Sequence, residues 1–75
     1  FNPGCNISFT IQNESELKIS IYDINGRYIQ MIGQGFHGVG NHKLYWEPKN
    51  MSSGTYFVKI EDENNVQIKK ILFLK

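Results

Sequence analysis

The amino-acid sequence predicts an all-β protein, specifically an immunoglobulin-like antiparallel β-sandwich of about six to seven strands. Its composition favours pleated strands over helices, because ten Ile and ten aromatic residues stand against four Leu and no Ala. Apolar and polar residues alternate in several segments, which is typical of strands with one buried face. Turn residues, mainly Asn and Gly, separate these segments every eight to fourteen residues.

The first two predicted strands cover residues 6–12 and 16–24. Every second residue is apolar in both, so one face of each strand is expected to be buried. The inward faces carry Ile7, Phe9, Ile11, Leu17, Ile19 and Ile21. Tyr22 and Ile24 make the other face of the second strand apolar near its end, and we expect that end to be covered on both sides.

Asn25-Gly26 predicts a two-residue type I′ hairpin turn, because this turn needs positive φ at both central positions and Asn and Gly tolerate it. The return strand is expected over residues 27–32. Residues 33–41 contain four glycines and are predicted to form a loop.

Two further strands are predicted over residues 42–47 and 55–61, separated by Pro48 and a turn that ends at Gly54. Their inward faces carry His42, Leu44, Trp46, Tyr56, Val58 and Ile60. Trp46 is the largest of these side chains, and we expect it to anchor the core.

The last strand is predicted over residues 66–74, and its end at residues 71–74 is apolar on both faces. Ile71 and Phe73 lie on one face, with Leu72 and Leu74 on the other. One thin core is not expected to cover both. Lysines flank the apolar end at positions 69, 70 and 75, where they also discourage aggregation of an edge strand.

The length fits one small domain over residues 1–75, and the start at Phe1 suggests a piece cut from a longer polypeptide. The net charge of +1 gives no basic patch, so we expect no nucleic-acid partner. The single cysteine, Cys5, excludes an internal disulfide framework and a metal site of several cysteines. The longest apolar run, residues 71–74, is far too short for a transmembrane helix.

Several local patterns have a chemical interpretation and a simpler structural one. Residues 33–38 read G-x-G-x-x-G, but no helix is expected after them to hold a dinucleotide. His37 and His42 are too few ligands for zinc, and the oxygen-rich residues 61–65 lack calcium-loop spacing. Cys5 has no legible catalytic base. We therefore predict no catalytic, metal-binding or cofactor-binding residue and expect the chain not to be an enzyme.

Five stretches, in order and at matching spacing, resemble the C-terminal sorting domain of the type 9 secretion system, type A. They are N-P with I-S-F at residues 2–9, I-Y-D-x-x-G-R at 21–27, G-x-H-x-x-x-W at 40–46, S-G-x-Y-F at 53–57 and K-x-x-x-x-K at 70–75. The resemblance extends from residue 2 to residue 75.

The resemblance implies a non-catalytic sandwich that directs a covalently linked upstream cargo to the cell surface or medium, through periplasm and outer membrane. It implies recognition by the outer-membrane translocon and its shuttle protein, and a surface sortase that removes the domain in many cases. Together with the position of the last strand at the end of the chain, it makes Lys70, Ile71, Leu72, Phe73, Leu74 and Lys75 the residues expected to be recognised. Turn chemistry and alternation make Asn25, Gly26, Trp46, Gly54 and Tyr56 the residues expected in turns and core.

A carbohydrate-binding or adhesive accessory module of a secreted enzyme remains an alternative on the same fold. Sugar binding uses exposed aromatic platforms, for which Phe36 and Tyr45 are the better candidates. Trp46 would serve only if it were exposed, so its burial distinguishes the two hypotheses in part.

Overall fold

The computed structural model describes residues 4–74, which form six β-strands and no helix. The strands are β1 (Cys5–Ile11), β2 (Ser15–Tyr22), β3 (Tyr28–His37), β4 (Gly40–Trp46), β5 (Gly54–Glu61) and β6 (Val66–Phe73). β1 and β4 pair as a two-stranded sheet, and the other strands form a four-stranded sheet in the order β3-β2-β5-β6. All pairs are antiparallel. The predicted all-β class is confirmed, and the two sheets are consistent with an immunoglobulin-like sandwich.

One core lies between the sheets and is built from the apolar positions that alternation predicted to face inward. Its buried members are Ile7, Phe9, Ile11, Leu17, Ile19, Ile21, Trp46, Tyr56, Val58, Ile60 and Phe73. Leu44 and Ile71 are partly buried against it. The period of two therefore identified the buried faces of β1, β2, β4 and β5 correctly.

The turn between β2 and β3 has three residues, 24–26, so the predicted two-residue type I′ turn is wrong. The N–H of Gly26 donates to the carbonyl oxygen of Asp23 (3.0 Å). The N–H of Asp23 donates to the carbonyl oxygen of Arg27 (2.9 Å). Gly26 has φ of +82°, whereas Asn25 is not among the residues with positive φ. This is a type I turn followed by a glycine bulge.

The side chain of Asp23 explains the different turn. Its Oδ1 accepts hydrogen bonds from the N–H groups of Asn25 and Arg27, both at 2.9 Å. Such bonds stabilise a turn that starts at Asp23. Ile24 consequently lies in the turn and is exposed, so the expectation that the end of β2 is covered on both sides is also wrong.

The glycine-rich residues 33–41 are not the predicted loop, because β3 extends to His37 and β4 begins at Gly40. Gly33 and Gly35 pair with Ile19 and Leu17 of β2. A Cβ at Gly33 would lie 3.3 Å from Cδ1 of Ile19, so the missing side chain leaves room for the core. Pairing with a central strand outweighs the low intrinsic β-propensity of glycine here.

The two sheets also meet at one side, where Nε2 of Gln67 in β6 donates to the carbonyl oxygen of Thr10 in β1 (3.0 Å). This bond ties the start of β6 to the other sheet. Residues 4–74 contain no helix long and apolar enough to span a membrane.

Candidate recognition strand

β6 is an edge strand of the four-stranded sheet with a fully regular ladder. It pairs with β5 alone, from Glu61↔Val66 to Gly54↔Phe73, without a register shift. Its opposite edge pairs with no strand among residues 4–74, which leaves backbone donors and acceptors there for another chain.

Apolar side chains line the outward face of β6 and continue to the residue after it. They are exposed to solvent. The exposed fractions are 54% for Val66, 64% for Ile68, 60% for Leu72 and 57% for Leu74. Lys70, also exposed, stands in the middle of this row. We call these five residues, Val66, Ile68, Lys70, Leu72 and Leu74, the β6 stripe.

The C-terminal end of the inward face of β6 differs from the stripe because it belongs to the core. Phe73 is buried, and its ring lies 6.1 Å from that of Trp46 between centroids. Ile71 is partly buried against the same core. The prediction that Ile71 and Phe73 lie opposite Leu72 and Leu74 is confirmed.

Among the predicted recognition residues, Lys70 is the charged one that the structure describes, and Lys75 lies outside the described residues. Lys70 pairs across the sheet with Phe57 of β5. Within residues 4–74 its side-chain ammonium group has neither a hydrogen bond nor an ion pair. An unpaired cation in an apolar row gives a partner one fixed charge to match.

The predicted core and turn residues hold this strand in place. Trp46 packs edge-on against Tyr56 at 5.6 Å, and its Nε1 donates to Oε1 of Gln30 at 3.2 Å. The Tyr56 hydroxyl donates to the carbonyl oxygen of Ser52 at 2.7 Å. Gly54 opens β5 opposite Phe73.

Asp62 organises the turn before β6, a role that sequence reasoning missed. Its Oδ1 accepts hydrogen bonds from the N–H groups of Asn64 (2.7 Å) and Asn65 (2.6 Å), and the Ser15 hydroxyl donates to Oδ2 (3.3 Å). The backbone bonds, first that of Asn64, hold the pKa of Asp62 below its ordinary value of 3.8. An Asp two residues before an Asn pair in a turn is the signal that could have predicted this.

The residues considered for catalysis or metal binding are engaged in packing and in hydrogen bonds to the backbone. Burial raises the pKa of the Cys5 thiol, which is the opposite of what a nucleophile needs. His42 stacks on Phe9 at 5.5 Å and lies 5.2 Å from His37, each distance being between ring centroids. One ring nitrogen of each histidine bonds a backbone carbonyl oxygen. Within residues 4–74, no three metal-ligating side chains cluster.

The aromatic residues of the carbohydrate alternative do not form one platform. Trp46 is buried and offers no ring face to a ligand. Phe36 and Tyr45 are exposed, but Phe36 lies on β3 of the four-stranded sheet and Tyr45 on β4 of the other.

Comparison with known proteins matches one family over nearly the whole chain. The family is described as the secretion system C-terminal sorting domain, and its model matches residues 2–74. No curated protein and no solved structure matches the chain. The match includes all six strands and the β6 stripe. The chain therefore belongs to the family of C-terminal sorting domains of the type 9 secretion system.

Proposed function

We propose that this domain is the part of a longer protein that the type 9 machinery holds during export, and that the end of the chain, residues 70–75, is what it recognises. The cargo is the upstream part of that protein. Its destination is the cell surface or the medium, reached through the periplasm and the outer membrane. The observation that carries the proposal is the β6 stripe, an apolar row left in solvent on a regular free edge.

An edge strand suits this task because a partner can extend the sheet without unfolding the domain. Main-chain hydrogen bonds would give affinity, and contacts with alternate side chains would give specificity. Complete burial of one Leu or Ile contributes about 1.5–3 kcal/mol. The four apolar side chains of the stripe are each more than half exposed, so together they offer several such contributions against the entropy cost of association.

The lysines would set the position of the partner along the strand. Lys70 lies between the two apolar pairs of the stripe, and Lys75 follows the last of them in the sequence. A partner surface with two apolar contacts between two acidic groups would match this order. We assign this role to the outer-membrane translocon and its shuttle protein, with a surface sortase acting later on the linker to the cargo.

The carbohydrate-binding alternative has less support from the geometry. Its best candidates, Phe36 and Tyr45, lie on different sheets, and Trp46 belongs to the core. A sorting domain needs no catalytic residue. The burial of the Cys5 thiol and the backbone hydrogen bonds of the two histidines agree with this.

The experiment is export of a fused reporter, placed behind an ordinary export signal in a type 9-competent cell. The double variant Lys70→Glu/Lys75→Glu, and a chain shortened by Leu74 and Lys75, should lose export. Lys43→Glu/Lys49→Glu is the matched control, because it makes the same change in net charge at exposed lysines elsewhere. Exposed charges contribute little to stability, so both double variants should melt near the parent.

Two outcomes would overturn the proposal. Normal export of Lys70→Glu/Lys75→Glu would place the signal elsewhere in the chain. Unfolding of that variant, with the control still folded, would show that the lysines serve packing and not recognition.

A further inference from the structure

A hollow of about 400 Å³ lies on the outward face of the four-stranded sheet, beside the β6 stripe. It is lined by Tyr22, Gly26, Phe57, Lys59 and Ile68. Its volume is at the lower end of the range for binding pockets, enough for a large side chain rather than an extended ligand. None of these residues belongs to the 70–75 segment.

The strand register explains why the hollow is apolar. Tyr28, Tyr22 and Phe57 are cross-strand neighbours on β3, β2 and β5, and Lys70 of β6 is the next residue in that row. Paired residues point to the same side of a sheet. The three aromatic rings and the unpaired Lys70 therefore form one row across the outward face. Tyr22 and Tyr28 meet edge to face at 5.8 Å between ring centroids.

The charges on this face are separated along the strands. Nζ of Lys59 lies 5.7 Å from the centre of the Tyr22 ring, and 3.8 Å from Oε2 of Glu61. The hollow itself has no carboxylate among its lining residues. The acidic side chains Glu16, Glu61, Asp62 and Glu63 surround a separate depression with Lys18. The carboxylates therefore lie at the end of this face away from Lys70, and an acidic group is attracted to the side of the hollow where Lys70 stands.

We propose that the hollow binds an apolar side chain of a partner protein, and that Lys70 holds the carboxylate of the acidic residue beside it. The proposal rests on the proposed function in one respect, since that partner is taken to belong to the export machinery. It extends the recognition surface from the end of the chain to residues of β2 and β5. Phe57 supplies the contact between the two, because it lines the hollow and pairs with Lys70.

The direct test uses the isotopically labelled domain and two small probes, acetyl-Phe-Asp-amide and acetyl-Phe-Asn-amide. The Asp probe should give saturable NMR shifts at Tyr22, Phe57 and Ile68, with affinity about two- to fivefold above that of the neutral Asn probe. Lys70→Glu should abolish this preference for Asp. Ile68→Glu should weaken both probes, whereas Val39→Glu, at a similarly exposed valine on the β3–β4 connection, should change neither.

Three results would overturn the proposal: no saturable shift with either probe, equal binding of the two probes, or an unchanged preference for Asp in Lys70→Glu. Shifts produced by a neutral oligosaccharide instead would make the hollow a sugar site and would also overturn it. The export assay separates this proposal from the previous one. If Ile68→Glu is exported normally while Lys70→Glu/Lys75→Glu is not, the sorting function stands and the hollow is not part of its recognition surface.

Discussion

The four-stranded sheet has two edges, β3 and β6, and they differ in regularity more than in composition. β3 pairs with β2 through two register shifts, between Ile19 and Ser20 and between Ile21 and Tyr22. Its exposed apolar residues, Tyr28, Met31 and Phe36, are separated by exposed glutamines and do not keep one period. β6 has no register shift, and its exposed apolar residues all lie on one face of the strand.

The difference shows how one sheet can discourage another chain from pairing with β3 and leave β6 accessible for pairing. Bulges twist a strand and interrupt its free hydrogen-bonding groups, so β3 is a poor template for another strand. β6 has a regular free edge, and its lysines discourage unwanted pairing with other strands. A regular apolar edge invites aggregation. We therefore attribute its presence to the partner proposed above.

The largest expected effect comes from Trp46, because both edges depend on it. Its indole packs against Phe73 of β6 and donates a hydrogen bond to Gln30 of β3. Trp46→Ala should lower the free energy of unfolding by about 3–5 kcal/mol, measured by urea denaturation. Leu72→Ala, on the exposed face of β6, should change it by less than about 0.5 kcal/mol. Similar losses in the two variants would mean that the stripe is structural.

The sequence predicted the core of this domain well because alternation depends only on strand geometry. The inward residues from Ile7 to Ile60 follow from counting every second position, and the same count places Leu72 and Leu74 opposite Ile71 and Phe73. Which of these two faces of β6 is exposed depends on the packing of the sheets. The turn at Asp23 was mispredicted because an Asn-Gly pair suits two turn types, and a side chain two residues earlier decides between them. The glycine stretch was mispredicted because pairing with β2 is a long-range contact that local composition does not contain.

The hollow on the outward face could not be predicted from the sequence, for a related reason. Its walls come from β2, from β5 and β6, and from the turn at Gly26, and the strand order that joins them is a tertiary property. Alternation indicates that Tyr22 and Phe57 point outward. It does not indicate that Lys70 continues their row.

A smaller effect is expected from the turn that leads into β3. Gly26→Val puts a β-branched side chain at φ of +82° and should cost about 1–2 kcal/mol of unfolding free energy. Gly38→Val is the matched control, because Gly38 is not among the glycines with positive φ and a Cβ there meets no atom within 4 Å. Urea denaturation of the two variants measures the difference. Equal midpoints for Gly26→Val and Gly38→Val would mean that the turn does not depend on positive φ at residue 26.

The smallest effect concerns acid and the turn that starts β6. The pKa of Asp62 is lowered in the folded state by backbone hydrogen bonds from Asn64 and Asn65, so its carboxylate stabilises the fold above the ordinary pKa of 3.8. That contribution is lost as the pH falls from about this value through the folded pKa. Asp62→Asn should flatten the fall in the urea midpoint between pH 5 and pH 3. An unchanged slope would assign the acid sensitivity to other carboxylates.

Site-specific photocrosslinking during export tests the difference between the two edges most directly. A benzophenone side chain is placed in turn at Leu72 of β6 and at Phe36 of β3, two residues exposed to 60% and 65%. The domain is fused to the reporter in a type 9-competent cell, and the crosslinked product is identified by mass spectrometry. We predict a product with a component of the type 9 machinery from position 72 and none from position 36. A product with the same component from position 36, or none from position 72 while the reporter is exported, would contradict the account.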